Sequence, residues 1–300
     1  MHDNPSPPAA RTSVSVVLPS KDEAASLESL LPEIKAAVGP IEIIVVDDGS
    51  SDDTAEVCAA HHVARVARPY AGGNGAAIKA GARSAKGETI VFMDADGQHD
   101  PKDILALLAK IDEGFDMVVG ARSDATQANR TRRLANSFYN AFASWMTDQH
   151  VADLTSGFRA VRADRFREFL HLLPNGFSYP TSITMAFFRS GYTVAYVPID
   201  ARRRVGKSHI RPLRDGMRFL LIIFKVGTLF SPMKIFLPFA TLFFFTGIAR
   251  YVYTYIEAGR FTNMSALLLV NSVLIFLIGL VSEQINSLLY ASRTTDRDAD

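Results

Sequence analysis

Two carboxylates, Asp94 and Asp96, follow directly on an apolar run of strand-forming residues, Thr89 to Met93. The run is too short for a helix and is closed by Gly97, so it predicts a buried strand with both carboxylates at its carboxyl end. Open α/β sheets bind ligands at that edge. Mg²⁺ and Mn²⁺ accept one or two carboxylates and fill their other positions with water and substrate phosphates. The pattern therefore predicts a site for a metal and a diphosphate, and the alternative is an ordinary exposed turn.

The elements that must position these carboxylates alternate between strand and helix. Apolar, β-branched runs predict five strands, with helices between them, at residues 14–19, 41–46, 63–67, 89–93 and 117–120. Acidic residues also end the second strand, at Asp47 and Asp48, where capping of the next helix is their alternative role. The alternation predicts an α/β fold with a mostly parallel sheet and a ligand crevice along one edge.

Several other classes of protein find no support in the sequence. The glycine cluster at 72–75 lacks the third small residue of a dinucleotide fingerprint and is separated from its strand by residues 68–71. No G-x-x-x-x-G-K-[ST] motif of a P-loop occurs. The net charge of +1 gives no argument for a nucleic-acid partner. The single cysteine, Cys58, excludes an intrachain disulfide framework and a multi-cysteine zinc site.

The carboxyl-terminal part has the composition of a membrane region. Two apolar stretches, 235–255 and 264–281, approach the length of about 20 residues that spans a bilayer. Basic residues flank the pair on one side: Lys225, Lys234, Arg293 and Arg297. The positive-inside rule then predicts that both termini lie in the cytoplasm. Arg250, near the far end of the first stretch, is expected to snorkel to the opposite interface.

The sequence therefore predicts five segments. Residues 1–12 are expected to be flexible, and they lack the apolar core of a signal peptide. The α/β domain covers 13–210. Residues 211–232 mix basic and apolar side chains as amphipathic interfacial helices do. The two-helix transmembrane region covers 233–290, and a cytoplasmic tail covers 291–300.

The motifs of the α/β part resemble those of GT-A-fold, family-2 glycosyltransferases, and within that family the polyprenyl-phosphate (dolichol-phosphate mannosyltransferase-like) branch. Matching pieces run in family order from Val16 to Ser208 and include Val46-Asp47-Asp48-Gly49-Ser50, Asp94-Ala95-Asp96-Gly97-Gln98 and Asp153-Leu154-Thr155-Ser156-Gly157-Phe158-Arg159. Each piece alone is weak, but together they are highly specific. Ser20-Lys21-Asp22 departs from the usual Thr-Tyr-Asn, so base stacking by a tyrosine is not expected there. His99 and His209 receive no role.

The resemblance implies an inverting, metal-dependent glycosyltransferase with a Rossmann-like GT-A domain. Its donor would be a nucleotide sugar of the GDP-mannose or UDP-glucose type, and its acceptor undecaprenyl or dolichyl phosphate at the cytoplasmic membrane face. Its cofactor would be Mg²⁺ or Mn²⁺, held by Asp94, Asp96 and Gln98. The implied donor-binding residues are Pro19, Glu23, Asp47, Asp48, Lys79, Asp94 and Gln98. The implied catalytic residues are Asp96, Asp153 and Arg122.

A further group of residues, mostly cations, suits the phosphate of the acceptor: Arg133, Ser156, Arg159, Arg203, Lys207 and Ser208. A phosphate monoester has a second pKa of about 6, so at neutral pH it is mostly dianionic and already nucleophilic. The reaction then needs cations more than a strong general base. Asp153 is expected to orient the acceptor, to act as a base, or to pair with an arginine.

An aromatic stripe precedes this motif and consists of Phe138, Tyr139, Phe142 and Trp145. Its spacing favours a core-facing helix over an acceptor surface. Two rival functions stay open. A processive synthase acting on a polysaccharide acceptor would need a Q-x-x-R-W type motif and more spans, and a non-catalytic nucleotide-sugar-binding scaffold would not need the paired carboxylates. A different lipid acceptor and a homo-oligomer are also compatible with the sequence.

Overall fold

The computed structural model describes residues 13–122, 130–176, 178–200, 224 and 227–291, with only the backbone described for 130–136 and 289–291. The described residues fall into two compact units. The first unit contains 13–144 and 149–200, and the second contains 145–148 together with 224 and 227–291. Most of the predicted interfacial segment, 211–232, lies outside the described residues.

Seven strands form one sheet in the first unit. They are β1 Val14–Ser20, β2 Glu42–Asp47, β3 Ala64–Ala67, β4 Thr89–Phe92, β5 Met117–Arg122, β6 Arg159–Arg162 and β7 Val194–Ile199. Their spatial order is β3-β2-β1-β4-β6-β5-β7. All neighbours pair in parallel except β6, which runs antiparallel to β4 and to β5. The predicted mostly parallel sheet is confirmed, and β6 and β7 extend it beyond the five predicted strands.

Seven helices follow or connect these strands: α1 Ala24–Val38, α2 Thr54–Ala60, α3 Asn74–Ser84, α4 Asp103–Asp112, α5 Arg130–Thr147, α6 Ala163–Glu168 and α7 Tyr179–Arg189. In α1 the leucines and isoleucine at i, i+3, i+4 and i+7 are the buried residues: Leu27, Leu30, Leu31 and Ile34. They join the strand residues Val16 and Leu18 in one apolar core. On α3, Gly81 lies so close to Val17 and Val46 that a Cβ there would overlap them, which brings the helix against the sheet.

The aromatic stripe of α5 does not face the core as predicted. Phe138 is 61% exposed and Trp145 is 47% exposed, whereas Tyr139 is buried. The buried face of α5 is Tyr139, Ala143 and Met146, at i, i+4 and i+7. Phe138 and Trp145 are seven residues apart, but each lies one position before a member of that buried set, so they share a neighbouring, outward face.

The second unit contains two long helices, α8 Pro232–Ala258 and α9 Asn263–Ala291. Both are long and apolar enough to cross a membrane. Small residues bring them together: a Cβ on Gly247 would lie 3.0 Å from Leu269 Cδ2, and Ser272 Oγ donates to Ala240 O at 2.9 Å. Their outward faces are apolar and exposed, as packing within lipid requires. Near the end of α8, the Arg250 guanidinium lies 5.7 Å from the ring centroid of Tyr253.

Candidate active site

A cavity of about 460 Å³ lies at the carboxyl ends of β1, β2 and β4. Four of the predicted donor-binding residues line it, and so does the predicted metal ligand Asp96: Pro19, Glu23, Asp48, Asp94 and Asp96. These residues come from three separate strand ends, so the parallel sheet brings them together as expected for this class of fold. Asp47, Lys79 and Gln98 are not among the residues that line the cavity.

Asp48 shapes one wall of the cavity. Its carboxylate accepts hydrogen bonds from Arg68 Nη1 at 2.7 Å, Gly72 N at 2.9 Å and Gly73 N at 2.7 Å. These contacts fix the loop that leads into α3. Neither Asp47 nor Asp48 caps α2 as the alternative role required, because α2 begins at Thr54.

Asp47 has different partners. It accepts hydrogen bonds from Ser50 N at 2.8 Å and from Arg65 Nε at 2.9 Å. Burial raises the pKa of Asp47, but these hydrogen bonds and the charge of Arg65 outweigh burial and hold the pKa below its usual value. Its contacts are therefore those of a structural carboxylate, and a direct donor contact stays a prediction.

Two loops hold each other at the edge of the cavity. Asp22, with a left-handed φ of 54°, donates its N–H to Ser50 Oγ at 3.0 Å and accepts from Ser51 N at 2.7 Å. Ala24 N donates to Asp52 Oδ2 at 2.9 Å. These hydrogen bonds between residues 22–24 and 50–52 fix the backbone between Asp22 and Ala24. The preceding residue, Lys21, lines the cavity. Lys21 is not among the site residues predicted from sequence; the only signal at this position is that Ser20-Lys21-Asp22 stands where Thr-Tyr-Asn is usual.

Asp94 and Asp96 carry the predicted metal site. Gln98 N donates to Asp96 Oδ1 at 3.2 Å, which folds the turn after β4 back on itself. Two carboxylates and a nearby amide oxygen are a donor set that fits Mg²⁺ or Mn²⁺ completed by water and substrate phosphate. Within the described residues no group of three or more His, Cys, Asp and Glu could enclose a metal. The residues therefore fit a metal shared with a diphosphate better than one enclosed by protein alone.

Gly157 lies directly against Asp94. A Cβ on Gly157 would come within 2.9 Å of Asp94 Oδ2, so only a glycine leaves the carboxylate in place. Tyr179 OH donates to Gly157 O at 2.9 Å and holds the peptide from the other side. The later part of the Asp153–Arg159 motif, at Gly157, is thereby positioned beside Asp94.

His99 adds a buried, neutral group to this site. Its ring stacks on Phe158 with centroids 4.9 Å apart, and Nε2 lies 4.0 Å from Asp94 Oδ2. Burial lowers the pKa of His99 to about 4, although the charges of Asp96 and Asp153 oppose that shift. Within the described part of the chain, Nδ1 has no hydrogen-bond partner. Sequence reasoning assigned His99 no role, and only its place after the acidic motif could have drawn attention to it.

Asp153 and Arg122 form a two-point ion pair. Arg122 Nε donates to Asp153 Oδ2 at 2.8 Å, Nη2 donates to Oδ1 at 3.0 Å, and Nη2 also donates to Thr155 Oγ1 at 2.6 Å. Asp153 is buried, and Arg122 remains 29% exposed. Burial raises the pKa of Asp153, but Arg122 outweighs burial and holds that pKa below its usual value. Of the three roles considered for Asp153, the geometry favours pairing with an arginine.

Arg159 is placed differently from its predicted contact with a phosphate. It is fully buried, and its guanidinium donates to Ser156 O, to Pro180 O at 3.3 Å and to Thr184 Oγ1 at 3.2 Å. Consecutive residues of β6 are buried, so both faces of this strand are covered and the side chain of Arg159 lies in the interior. The guanidinium therefore has no open side for an acceptor, and Arg159 instead holds the backbone of the motif in which it lies.

The other predicted residues are distributed as follows. Lys79 Nζ donates to Leu173 O at 3.2 Å and to Asn175 Oδ1, which ties α3 to the loop before α7. Ser156 is buried, with its hydroxyl lacking a hydrogen-bond partner among the described residues. The remaining acceptor-phosphate predictions fall outside the described side chains: Arg133, Arg203, Lys207 and Ser208.

Family models of known proteins match parts of both compact units. The family model described as "Glycosyl transferase family 2" matches residues 15–170, and the model described as "GtrB C-terminal hairpin" matches residues 231–288. The second match covers most of α8 and α9, and with the composition of these helices it supports an integral membrane protein.

Similar curated proteins are named undecaprenyl-phosphate 4-deoxy-4-formamido-L-arabinose transferase. The protein from Salmonella paratyphi A is 36% identical over 159 residues, which is 50% of this chain and 48% of the relative. The protein from Edwardsiella ictaluri is 35% identical over 170 residues, which is 53% of this chain and 51% of the relative. The chain thus spans about half the length of the curated relatives it matches.

Solved structures with a similar fold include glucosyl-3-phosphoglycerate synthase from Mycobacterium tuberculosis. Its complex with Mn²⁺, UDP and glucosyl-3-phosphoglycerate aligns with a TM-score of 0.56 at 22% identity, over 72% of this chain and 78% of that chain. Its complex with Mg²⁺ and UDP aligns with a TM-score of 0.55 at 24% identity, over 71% and 79%. Identity at this level shows the GT-A fold alone. Because the first family model covers more than half of the sequence, the chain belongs to glycosyl transferase family 2.

Proposed function

We propose that the protein is an inverting, metal-dependent glycosyltransferase that moves a hexose-type sugar from a nucleotide donor to polyprenyl phosphate. One observation carries the proposal: Asp94 and Asp96 line the same cavity as Pro19, Glu23 and Asp48, in a chain that also has two helices able to cross a membrane. The relatives' name contains undecaprenyl phosphate, which supports a lipid phosphate as the acceptor.

On the donor side, Pro19, Glu23 and Asp48 would border the nucleoside. Asp94, Asp96 and Gln98 would hold Mg²⁺ or Mn²⁺. When bound, the ion neutralises charge that develops on the leaving nucleoside diphosphate. Gly157 leaves room for the Asp94 carboxylate, and His99 Nε2 lies 4.0 Å from Asp94 Oδ2.

On the acceptor side, a phosphate oxygen would form the new bond to the anomeric carbon while the bond to the diphosphate breaks on the opposite face. This single displacement inverts the configuration. Arg122 would attract the acceptor phosphate, because it is partly exposed and its charge interacts with that of Asp94. We also propose phosphate contacts for Arg133, Ser156, Arg203, Lys207 and Ser208, but not for the buried Arg159.

The identity of the donor sugar is the most specific part of the proposal. A donor of the GDP-mannose or UDP-glucose type follows from the resemblance of the motifs, whereas the curated relatives are named for a substituted arabinose. The test must therefore include both kinds of sugar. We further propose that transfer takes place at the cytoplasmic face. A homo-oligomer stays a prediction.

The experiment uses membranes from cells that express the full chain, incubated with radiolabelled nucleotide sugars and then extracted for lipid. We expect label from one donor in the lipid fraction, dependent on added polyprenyl phosphate and absent when free polyprenol replaces it. Label in a polymer would favour a polysaccharide acceptor. Binding of a nucleotide sugar without any transfer would favour the scaffold function.

A further inference from the structure

Asn271 places a polar side chain inside the longer of the two apolar helices. At a rise of 1.5 Å per residue, it lies about 12 Å along the axis from Asn263, within the stretch that is apolar enough to cross a membrane. The side chain is partly exposed, and among the residues that the structure describes none forms a hydrogen bond with it. The hydrocarbon of a bilayer offers a carboxamide neither donors nor acceptors, so this side chain requires a polar partner at that depth.

The helix α8 packs on a neighbouring face of α9. That face contains Ser272, whose hydroxyl donates to Ala240 O at 2.9 Å, and Gly279, where a Cβ would lie 2.7 Å from Phe236 Cβ. Ser272 and Gly279 are seven residues apart, so they lie on one side of α9. Asn271 precedes Ser272 and is rotated from it by about 100° around the helix axis. The carboxamide therefore lies beside the contact with α8 and is not part of it.

The face of α9 that includes Asn271 has apolar residues at heptad spacing. We call this face the seam, and its residues follow one another at alternate steps of three and four: Met264, Leu267, Asn271, Leu274, Ile278, Val281, Ile285 and Leu288. Each apolar member is at least half exposed, from 50% at Leu274 to 71% at Leu288. Such spacing is typical of helices that pack side by side in a left-handed pair. Within lipid, apolar surface alone adds little to association, so the polar residue distinguishes the seam from the other exposed faces.

We propose that the seam packs against the seam of a second copy of the chain, with the two Asn271 carboxamides hydrogen-bonded to each other. Copies inserted in one membrane with the same topology run in parallel, so identical residues lie at the same depth. A carboxamide has both donors and an acceptor and is therefore complementary to its own copy. A single Asn in such a seam also fixes the register of the pair. The proposal gives a specific form to the predicted homo-oligomer, and it rests on membrane insertion and not on the transfer reaction.

The first test is disulfide cross-linking of the full chain in membranes, in a Cys58→Ala background that removes the single native cysteine. Leu274→Cys, within the seam, should give mostly covalent dimer after oxidation with copper phenanthroline. Val273→Cys is the matched control and should give much less dimer, because Val273 is as exposed as Leu274, at 55%, but is rotated by about 100° away from the seam. Ile278→Cys, in the seam, and Leu280→Cys, outside it, repeat the comparison further along α9.

The second test measures the dissociation constant of the pair. Full chains carrying donor or acceptor fluorophores after Asp300 are placed in phosphatidylcholine vesicles, and energy transfer is followed over a series of protein-to-lipid ratios. Asn271→Leu keeps the size of the side chain but removes the carboxamide. It should raise the dissociation constant about five- to thirtyfold, since a hydrogen bond between helices in a membrane contributes about 1–2 kcal/mol.

Two variants control this measurement. Asn271→Gln retains a carboxamide, and its dissociation constant should lie nearer to that of the parent. Ser272→Ala removes a hydrogen bond to α8 within one copy and should leave the dissociation constant unchanged.

Three results would overturn the proposal. Equal cross-linking of Leu274→Cys and Val273→Cys would show that α9 has no defined contact face. Energy transfer at no more than the level of random encounters would show that the chains do not pair in lipid. An unchanged dissociation constant in Asn271→Leu would show that the carboxamide is not in the contact. Cross-linking confined to the seam, together with weaker pairing of Asn271→Leu but not of Ser272→Ala, would support it.

Discussion

Arg122 and Asp153 face each other as a fork and a carboxylate, with Nε–Oδ2 and Nη2–Oδ1 distances of 2.8 and 3.0 Å. Both oxygens of Asp153 are occupied, and Oδ1 also accepts from Thr155 N and Ser156 N. A carboxylate held in this way is a weak base. Its contribution is to orient Arg122 and the following loop.

Replacing Asp153 with Asn should therefore impair positioning rather than remove a base. We expect kcat/KM for the lipid acceptor to fall roughly ten- to a hundredfold, since a charge-assisted hydrogen bond contributes about 1.5–3 kcal/mol. Nucleotide-sugar binding should change much less. Steady-state kinetics at saturating donor, with binding measured by calorimetry, separate the two effects. Asp112→Asn, at an exposed carboxylate of α4, is the matched control.

The pH dependence should follow the acceptor and not the protein. The pKa of Asp153 lies below its usual value and that of His99 is about 4, so near pH 5 and above Asp153 stays ionised and His99 stays neutral. A phosphate monoester gains a proton near its second pKa of about 6, and kcat/KM should decrease below that pH. The decrease in kcat/KM at acid pH should also be observed in His99→Gln and Asp153→Asn. If kcat/KM of Asp153→Asn did not decrease at acid pH as that of the parent does, Asp153 would be identified as a general base.

Loss of a carboxylate from the predicted metal site should abolish most turnover. In Asp96→Asn a neutral amide replaces a charged ligand, and we expect a decrease on the order of a hundredfold or more because metal stabilisation supplies several kcal/mol. The variant should unfold at the same temperature as the parent. Chelation of the parent should cause the same loss, and added Mn²⁺ or Mg²⁺ should reverse it. Full activity in excess chelator would contradict the metal site.

Substitutions at Gly157 and Thr184 separate two effects. The first changes the surroundings of Asp94, and the second changes the contacts of the Arg159 guanidinium. Gly157→Ala adds a Cβ 2.9 Å from Asp94 Oδ2, so the carboxylate must move and the Mn²⁺ concentration for half-maximal activity should rise. Thr184→Val removes one acceptor of the buried guanidinium and should lower the free energy of unfolding by about 1.5–3 kcal/mol. It leaves Asp94 untouched, so its Mn²⁺ dependence should not change. Equal Mn²⁺ dependence in both variants would show that Gly157 does not position Asp94.

The orientation of the membrane helices is open to a direct test. Reporters fused before Met1 and after Asp300 should both report the cytoplasm, because basic residues flank the helix pair on that side. A reporter inserted in the loop between α8 and α9, at 259–262, should report the opposite side. A terminus found on the side opposite the cytoplasm would refute the predicted topology.

The acidic lining of the cavity could be predicted from sequence because its residues follow apolar strands without interruption. Asp48 and Asp94 each come at the end of such a run, and the parallel sheet then aligns the strand ends. Local pattern and general topology were sufficient there.

The residues predicted for the acceptor phosphate depend on contacts that local pattern does not encode. Arg159 has the chemistry of a phosphate ligand, but it lies on β6, where consecutive residues are buried, and its guanidinium is fully buried as well. The exposure of Trp145 likewise depends on which face of α5 packs, and Tyr139 rather than its neighbour Phe138 proved to be the buried one. A shift of one residue along a helix rotates a side chain by about 100°, which the aromatic spacing alone could not resolve.

β6 runs antiparallel to its neighbours, so the residues before it reach the site from a different part of the sequence than the residues that follow β1, β2 and β4. Residues up to Asp96 line the cavity where strands leave the sheet, whereas Asp153 to Phe158 precede β6 and reach Asp94 through Gly157. The proposed nucleotide half and the proposed acceptor motif are thus separate stretches of chain, with α4, β5 and α5 between Asp96 and Asp153. We expect the preferences for donor and for acceptor to evolve independently. Chimaeras of two relatives joined within α4 should take the nucleotide sugar of one parent and the acceptor of the other.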